Sequence, residues 1–267
     1  MRAEVPLASV VVRTKNEEST IGRTLLAIAN QSLKPHEIIV IDNASTDRTL
    51  EIAQNYTDKI INLDSRLPYN HAFACNTGIE HTTGNIAVLT NGHSTPVSSG
   101  WLQSATRHFA DERVAGCSGF QYPVSRTPWE LLRSKLLTNI IRSGIQGRNS
   151  ISLANGIGLF NTVTGAVRRE LWEKHQFDED FSEWFCGGED KDWAFYWYKQ
   201  GYRFVTEPNF SVYHNHQGAN TLKETFLHEF DYLMMYLGAY NRYKRNISGK
   251  PQEPVFMYYA RGPYKED

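Results

Sequence analysis

In the second half of the chain, Gly187-Gly188 lead straight into the acidic pair Glu189-Asp190. Glycines let backbone and ligand approach closely, and a carboxylate behind them can take a proton from a substrate hydroxyl. The same acids would also open a helix over residues 190–200, where they complement the helix dipole without doing chemistry. Farther on, His214 and His216 stand two apart on an extended segment and so share one face. One of them could ligate a metal, or the pair could simply flank a strand end. Three polar clusters follow short apolar runs: Arg13-Thr14-Lys15-Asn16-Glu17, Asp42-Asn43-Ala44-Ser45-Thr46-Asp47 and Thr90-Asn91-Gly92-His93. A helix cap accounts for Asp47, but no single cap explains polar residues at the ends of three separate runs.

The elements that must position these residues follow from periodicity. Apolar runs at residues 9–12, 37–41, 59–63 and 85–89 alternate with helical patterns. The first of these places Ile21, Leu25 and Ile28 on one face, and further helices are expected over 45–56, 71–81 and 97–109. This is the pattern of successive βα units, hence an α/β class with a largely parallel sheet flanked by helices. Ligands of such sheets bind beyond the carboxyl ends of the strands, where the three polar clusters stand. Later segments predict strands at 114–121, 162–168 and 202–206, helices at 169–175 and 190–200, and an extended stretch at 211–216. Amphipathic helices are expected at 129–145 and 221–245, and the Gly-, Ser- and Asn-rich stretch 144–158 has the composition of an active-site loop. Arg168 and Arg169 could touch a phosphate or cover the surface.

Composition narrows the class. A chain of 267 residues is one domain, or one domain with a small appendage, large enough to bury a core without staples. With 28 Lys+Arg against 29 Asp+Glu there is no basic excess to serve nucleic acid. Cys75, Cys117 and Cys186 are too dispersed for a zinc knuckle or redox pair. No signal peptide is recognisable, and no run reaches the roughly 18 apolar residues of a membrane span. A cytoplasmic protein is expected. The basic Arg242–Arg245 end of the last helix reads first as a solvated face, and second as a peripheral contact with the anionic inner face of a membrane.

The run from Val10 to Glu17, then Gln31, then Ile38 to Thr49 resembles the start of a family 2 glycosyltransferase. The resemblance continues through Asn76-Thr77-Gly78, Gly84-Asn85-Ile86 and Trp101-Leu102, and resumes at Gly187 to Trp193 and at His214-Asn215-His216. It implies a GT-A sheet over 1–221, with a nucleotide-sugar part (1–121) and an acceptor and catalytic part (122–221), followed by a helix and tail at 222–267. It implies inverting transfer from a nucleotide diphosphate sugar, UDP- or dTDP-linked first, to a saccharide or lipid-linked hydroxyl, as in cell-surface polysaccharide synthesis. Thr14 and Glu17 would lie by the base and ribose, Asp42 would accept from the base imide, and Asn76 and Asn91 would be further nucleotide contacts. Asp190 would be the base, with Glu189 at the acceptor or fixing the loop.

At the family's Asp-x-Asp position this chain has Asn91-Gly92-His93. That substitution puts His93 where a metal ligand stands, with His214 or His216 as a second. Imidazole suits Mn2+ and is a poor ligand for Mg2+, so Mn2+ is the expected ion. The competing reading is a non-catalytic nucleotide-sugar-binding module that has lost its Asp-x-Asp, against which the Glu189-Asp190 pair argues. A nucleotidyltransferase would want a Gly-rich, basic phosphate loop after the first strand, and residues 14–17 do not supply one.

Overall fold

A computed structural model of the chain describes residues 6–64, 66, 69–124, 160–180 and 188–215. The expected helices at 129–145 and 221–245, the 144–158 loop, Gly187 and His216 lie outside the described residues.

Strand β1 (Ala8–Thr14) is buried along its whole length. It pairs in parallel with β2 (Glu37–Asp42) and β4 (Ile86–Asn91), in a register that sets Thr14 beside Asp42 and Arg13 beside Asn91. Burial on both faces is why these runs are continuously apolar. Val11, Ile39, Ile41 and Leu89 enter one core layer, with Trp172, Trp193 and Phe204. Val10, Val12, Val40 and Val88 enter the other, against Ile21, Leu25 and Ile28 of α1 (Ile21–Ala29). The period of two along each strand thus divides its side chains between two helix layers.

The full sheet has the order β3-β2-β1-β4-β8-β6-β9. Edge strand β3 (Ile60–Asn62) and the pair β6 (Val114–Ser118) and β9 (Arg203–Thr206) keep the parallel sense. Strand β8 (Thr164–Arg168) runs antiparallel to both of its neighbours, β4 and β6. A smaller sheet, β5-β10-β7, holds β5 (Ser94–Pro96), β10 (Val212–His214) and β7 (Gln121–Pro123). The strand expected at 114–121 is therefore divided at residues 119–120, where the chain leaves the large sheet for the small one.

Two helices are shorter than their patterns predict. The expected 45–56 helix is α2 (Thr49–Ala53), because the residues before it are spent on a loop described below. The expected 97–109 helix is α4 (Trp101–Thr106) followed by a 3-10 turn (Arg107–Ala110). Here Gln31 fixes the helix start: its side-chain oxygen accepts from the Leu102 amide while its nitrogen donates to the Ala27 and Ser98 carbonyls. Helices α3 (His71–Glu80), α5 (Arg169–Lys174) and α6 (Glu189–Lys199) stand close to where they are expected. Among the described residues no helix is long and apolar enough to cross a membrane.

Candidate functional site

The carboxyl ends of β1 and β2 are knitted into one unit. The Asn43 amide donates to the Thr14 carbonyl at 2.9 Å. Asn16, with φ at 51°, donates its amide to Ser45 Oγ (2.8 Å) and accepts from the Thr46 amide at Oδ1 (2.8 Å). The Glu17 amide donates to Thr49 Oγ1 and the Glu18 amide to Asp47 Oδ2. Asp47 Oδ1 also accepts from the Thr49 amide and hydroxyl, so it serves both as a cap and as a tie between the loops. Ala44 is held at φ 56°, a conformation that costs a non-glycine residue about 1 kcal/mol or more. Asp42, fully buried, accepts from the Ser45 amide at Oδ2 (2.8 Å) and the Ser45 hydroxyl at Oδ1 (2.5 Å). Each carboxylate oxygen has a second lone pair, so this turn does not exhaust the group.

The end of β4 joins the same unit. The Gly92 amide donates to the Arg13 carbonyl, and a Cβ on Gly92 would lie 2.0 Å from Glu17 Oε2. A side chain there would displace the Glu17 carboxylate, which crosses directly over Gly92. That carboxylate accepts from Thr14 Oγ1 at 2.9 Å and closes on His93 Nδ1. Glu17, expected by the base and ribose, thus has its carboxylate on Thr14 and His93. Strand pairing sets Ser94 opposite His214. The His93 and His214 rings stand 4.7 Å apart, and Ser94 Oγ shares a 2.9 Å hydrogen bond with His214 Nδ1. Each ring is therefore held through Nδ1 by a protein oxygen, which is how a ligating imidazole is commonly oriented. Two nitrogen donors fit Mn2+ better than Mg2+. Among the described residues there is no group of three or more His, Cys, Asp and Glu that could hold a metal.

The acidic pair opens α6. Gly188 has φ at 146°, which L side chains rarely adopt, and its amide donates to Glu189 Oε2 at 2.8 Å. Asp190 Oδ1 accepts from the Lys191 amide at 2.7 Å, and Oδ2 lies 3.4 Å from Lys191 Nζ. Burial pushes the Asp190 carboxyl above the usual carboxylate range; the Lys191 charge opposes that shift and the Glu189 charge adds to it. A raised carboxylate pKa is the direction a general base near neutral pH needs.

Two cations here escaped assignment from the sequence. Arg13 is buried, donates from Nη2 to the Thr162 carbonyl at 3.0 Å, and its charge acts on both Glu189 and Asp190. Its signal was present: a charged residue continuing a buried strand run has to be held by something. Lys191 is likewise buried and donates to the Phe160 carbonyl.

Other expected residues serve the fold. Asn76 donates to the Phe177 carbonyl and to Glu179 Oε1, and accepts from the Trp172 indole and the Phe177 amide. Both amide hydrogens and both acceptor positions are engaged within the protein, so Asn76 braces α3 against residues 172–179. Arg168 donates to the carbonyls of Phe109, Asp111 and Val114, and Arg169 pairs with Glu173. Asn91 is half-buried at the end of β4, beside Arg13 of β1.

A family model, Glycosyl transferase family 2, matches residues 9–175. The chain belongs to glycosyltransferase family 2. Over 181 residues it is 30% identical to glycosyltransferase AglE of Haloferax volcanii, an alignment covering 65% of this chain and 56% of that protein. Over 215 residues it is 24% identical to a dolichyl N-acetyl-alpha-D-glucosaminyl phosphate 3-beta-D-2,3-diacetamido-2,3-dideoxy-beta-D-glucuronosyltransferase of Methanococcus voltae, covering 75% of this chain and 64% of that one. The chain thus spans less than two thirds of either relative. Its fold is that of the mannosyltransferase PcManGT from Pyrobaculum calidifontis, solved with GDP-Man and Mn2+. That match has a TM-score of 0.62 at 20% identity and covers 93% of this chain and 66% of the other. The mostly parallel seven-stranded sheet is accordingly the GT-A arrangement.

Proposed function

We propose that this family member is an inverting glycosyltransferase that moves a sugar from a nucleotide diphosphate sugar, UDP- or dTDP-linked first, to a hydroxyl of a saccharide or lipid-linked acceptor. The observation that carries the reading is the convergence of the knitted ends of β1, β2 and β4 with the acid-bearing start of α6, linked by the buried Arg13. The Asp190 carboxyl is buried with its pKa raised, the direction that favours proton transfer over mere binding. The lipid-phosphate substrate in the name of the Methanococcus voltae relative and the GDP-Man and Mn2+ in the Pyrobaculum calidifontis structure support donor and acceptor of these classes.

Thr14, Asp42 and Asn91 would hold the nucleotide, with Glu17 orienting His93. His93 and His214, with His216 as the alternative second ligand, would hold a divalent ion, Mn2+ before Mg2+, which supplies positive charge for the departing diphosphate. Asp190 takes the proton of the acceptor hydroxyl as that oxygen attacks the anomeric carbon from the face opposite the diphosphate. The new C–O bond forms as the bond to phosphate breaks, and the configuration inverts. Glu189, buried and accepting from the Gly188 amide, would touch the acceptor or fix the start of α6.

The test pairs binding with turnover. A ligand at a hundredfold its Kd adds about 2.7 kcal/mol of stability, so thermal unfolding with UDP, dTDP, GDP and CMP, each with Mn2+, Mg2+ or chelator, reads base and metal together. A shift with a uracil or thymine diphosphate that needs Mn2+ is expected. A shift indifferent to metal discards His93 as a ligand, and a shift with GDP alone changes the donor. Asp190→Asn should lower turnover about a hundredfold or more while keeping the nucleotide shift; unchanged turnover removes Asp190 as base.

A further inference from the structure

We propose that Lys191 is a positioning residue for Asp190, its buried ammonium anchored on the Phe160 carbonyl so that the carboxyl is held in place and kept ionised. The proposal rests on the reading of Asp190 as the base. Lys191 stands in the first turn of α6, where the helix dipole disfavours a cation, and it is almost wholly buried, where an ammonium is costly. Both penalties need a local counterpart. The described residues supply it in the Phe160 carbonyl and in Asp190, which Lys191 holds by its backbone amide on one oxygen and approaches with its ammonium on the other.

The anchor is itself braced. Residues 160–162 lie between β1 and α6, with Arg13 donating to the Thr162 carbonyl and Lys191 to the Phe160 carbonyl. The segment entering β8 is thereby gripped from both sides. The charged and titratable groups acting on the Asp190 carboxyl among the described residues are Lys191 and Glu189 of its own helix, Arg13 of β1 and Cys75 of α3. Cys75 is neutral at physiological pH, since burial pushes its thiol up to about 12. The Arg13 charge acts on Cys75, Tyr69 and Glu189 as well as on Asp190, and its hydrogen bonds go to Thr162 and His71. Lys191 is the cation in contact with the base, and burial together with Glu189 would otherwise favour the protonated acid.

The decisive measurement is the titration of the Asp190 carboxyl by NMR in protein carrying 13C-carboxyl aspartate, with Asp190→Asn to assign the signal. In Lys191→Gln, which removes the charge but keeps an N–H donor, Asp190 should become a tenfold or more weaker acid, as expected for loss of an adjacent opposite charge. The acid limb of kcat should move to higher pH by the same factor, with nucleotide affinity unchanged. Lys191→Arg should restore both. An Asp190 midpoint that does not move in Lys191→Gln overturns the proposal, as does a moved midpoint that Lys191→Arg fails to recover. Should the variants not fold, the wild-type protein still answers: the Lys191 15Nζ signal must move at the same midpoint as the Asp190 carboxyl, and independent midpoints reject the coupling. Full turnover in Asp190→Asn would instead reject the base assignment, a result separate from any of these titrations.

Discussion

Asn76 and Gly92 make opposite demands on substitution. Removing the Asn76 amide leaves the Trp172 indole N–H and the Phe177 amide without their acceptor in a buried setting. Such orphaned groups cost about 1–3 kcal/mol each, so Asn76→Ala should lose roughly 2–6 kcal/mol. In a chain of this size that is a fall in Tm of about 4–24 °C, read by calorimetry, with nucleotide affinity unchanged. A tenfold loss of nucleotide binding at constant stability would return Asn76 to the site. Gly92→Ala should act the other way. Its Cβ can be accommodated only by moving the Glu17 carboxylate off Thr14 and His93. Nucleotide binding in Mn2+ should weaken about tenfold or more, for a stability cost of about 1–3 kcal/mol, as titration calorimetry would show. The sequence marked Asn76 by family resemblance, but its partners lie at 172, 177 and 179, and contacts of that separation leave no local pattern. Gly92 offered no clue either, because the carboxylate above it comes from another strand end.

Elements are joined here by carboxylates as much as by packing. Glu207, just after β9, accepts from Arg107, His108, the Asn209 amide and the Asn209 side chain, and so clamps the 3-10 turn to the end of the sheet. Burial alone would raise its pKa, yet the hydrogen bonds from His108, Asn209 and Arg107 outweigh burial and hold it at about 2, against 4.5 for an ordinary glutamate. The folded value lies below the unfolded one, so this stability is complete above pH 4.5 and is lost as pH falls toward 2. The amount is roughly 3 kcal/mol. Glu207→Gln should therefore lower Tm at pH 7 and flatten the decline of Tm between pH 5 and 2, measured by circular dichroism. Between the β1 and β2 loops, Asn16→Ala removes the acceptor for the Thr46 amide and an αL-tolerant residue together. A loss of about 1–2 kcal/mol with weaker nucleotide binding is expected. The βα alternation made most of these elements legible. Their ends were not, because the start of α2 is decided by what Asp42, Asn16 and Asp47 bind, and the start of α4 by Gln31.

At the scale of the molecule, apolar runs at 9–12, 37–41 and 85–89 announced a buried parallel sheet, and the strands there are parallel. Strand direction is not written in a period of two, however, so the reversed sense of β8 and the transfer of the chain into a second sheet at 119–120 could not be foreseen. The place of β8 governs how this protein must be made. It completes the hydrogen bonding of Ile86–Thr90 in β4, yet it begins at residue 164, 73 positions after β4 ends at Asn91. At about 5–20 residues per second a ribosome needs roughly 4–15 s to cover that interval. Throughout it the nascent chain carries an uncovered strand edge of Ile86, Ala87, Val88 and Leu89, the kind of edge that recruits other chains. A fragment ending at residue 124 should pellet on expression, whereas one reaching residue 215 should remain in the supernatant. Codon choice between 91 and 164 then becomes a handle on yield, since the sooner β8 emerges, the shorter the time in which neighbouring polysomes can pair through β4.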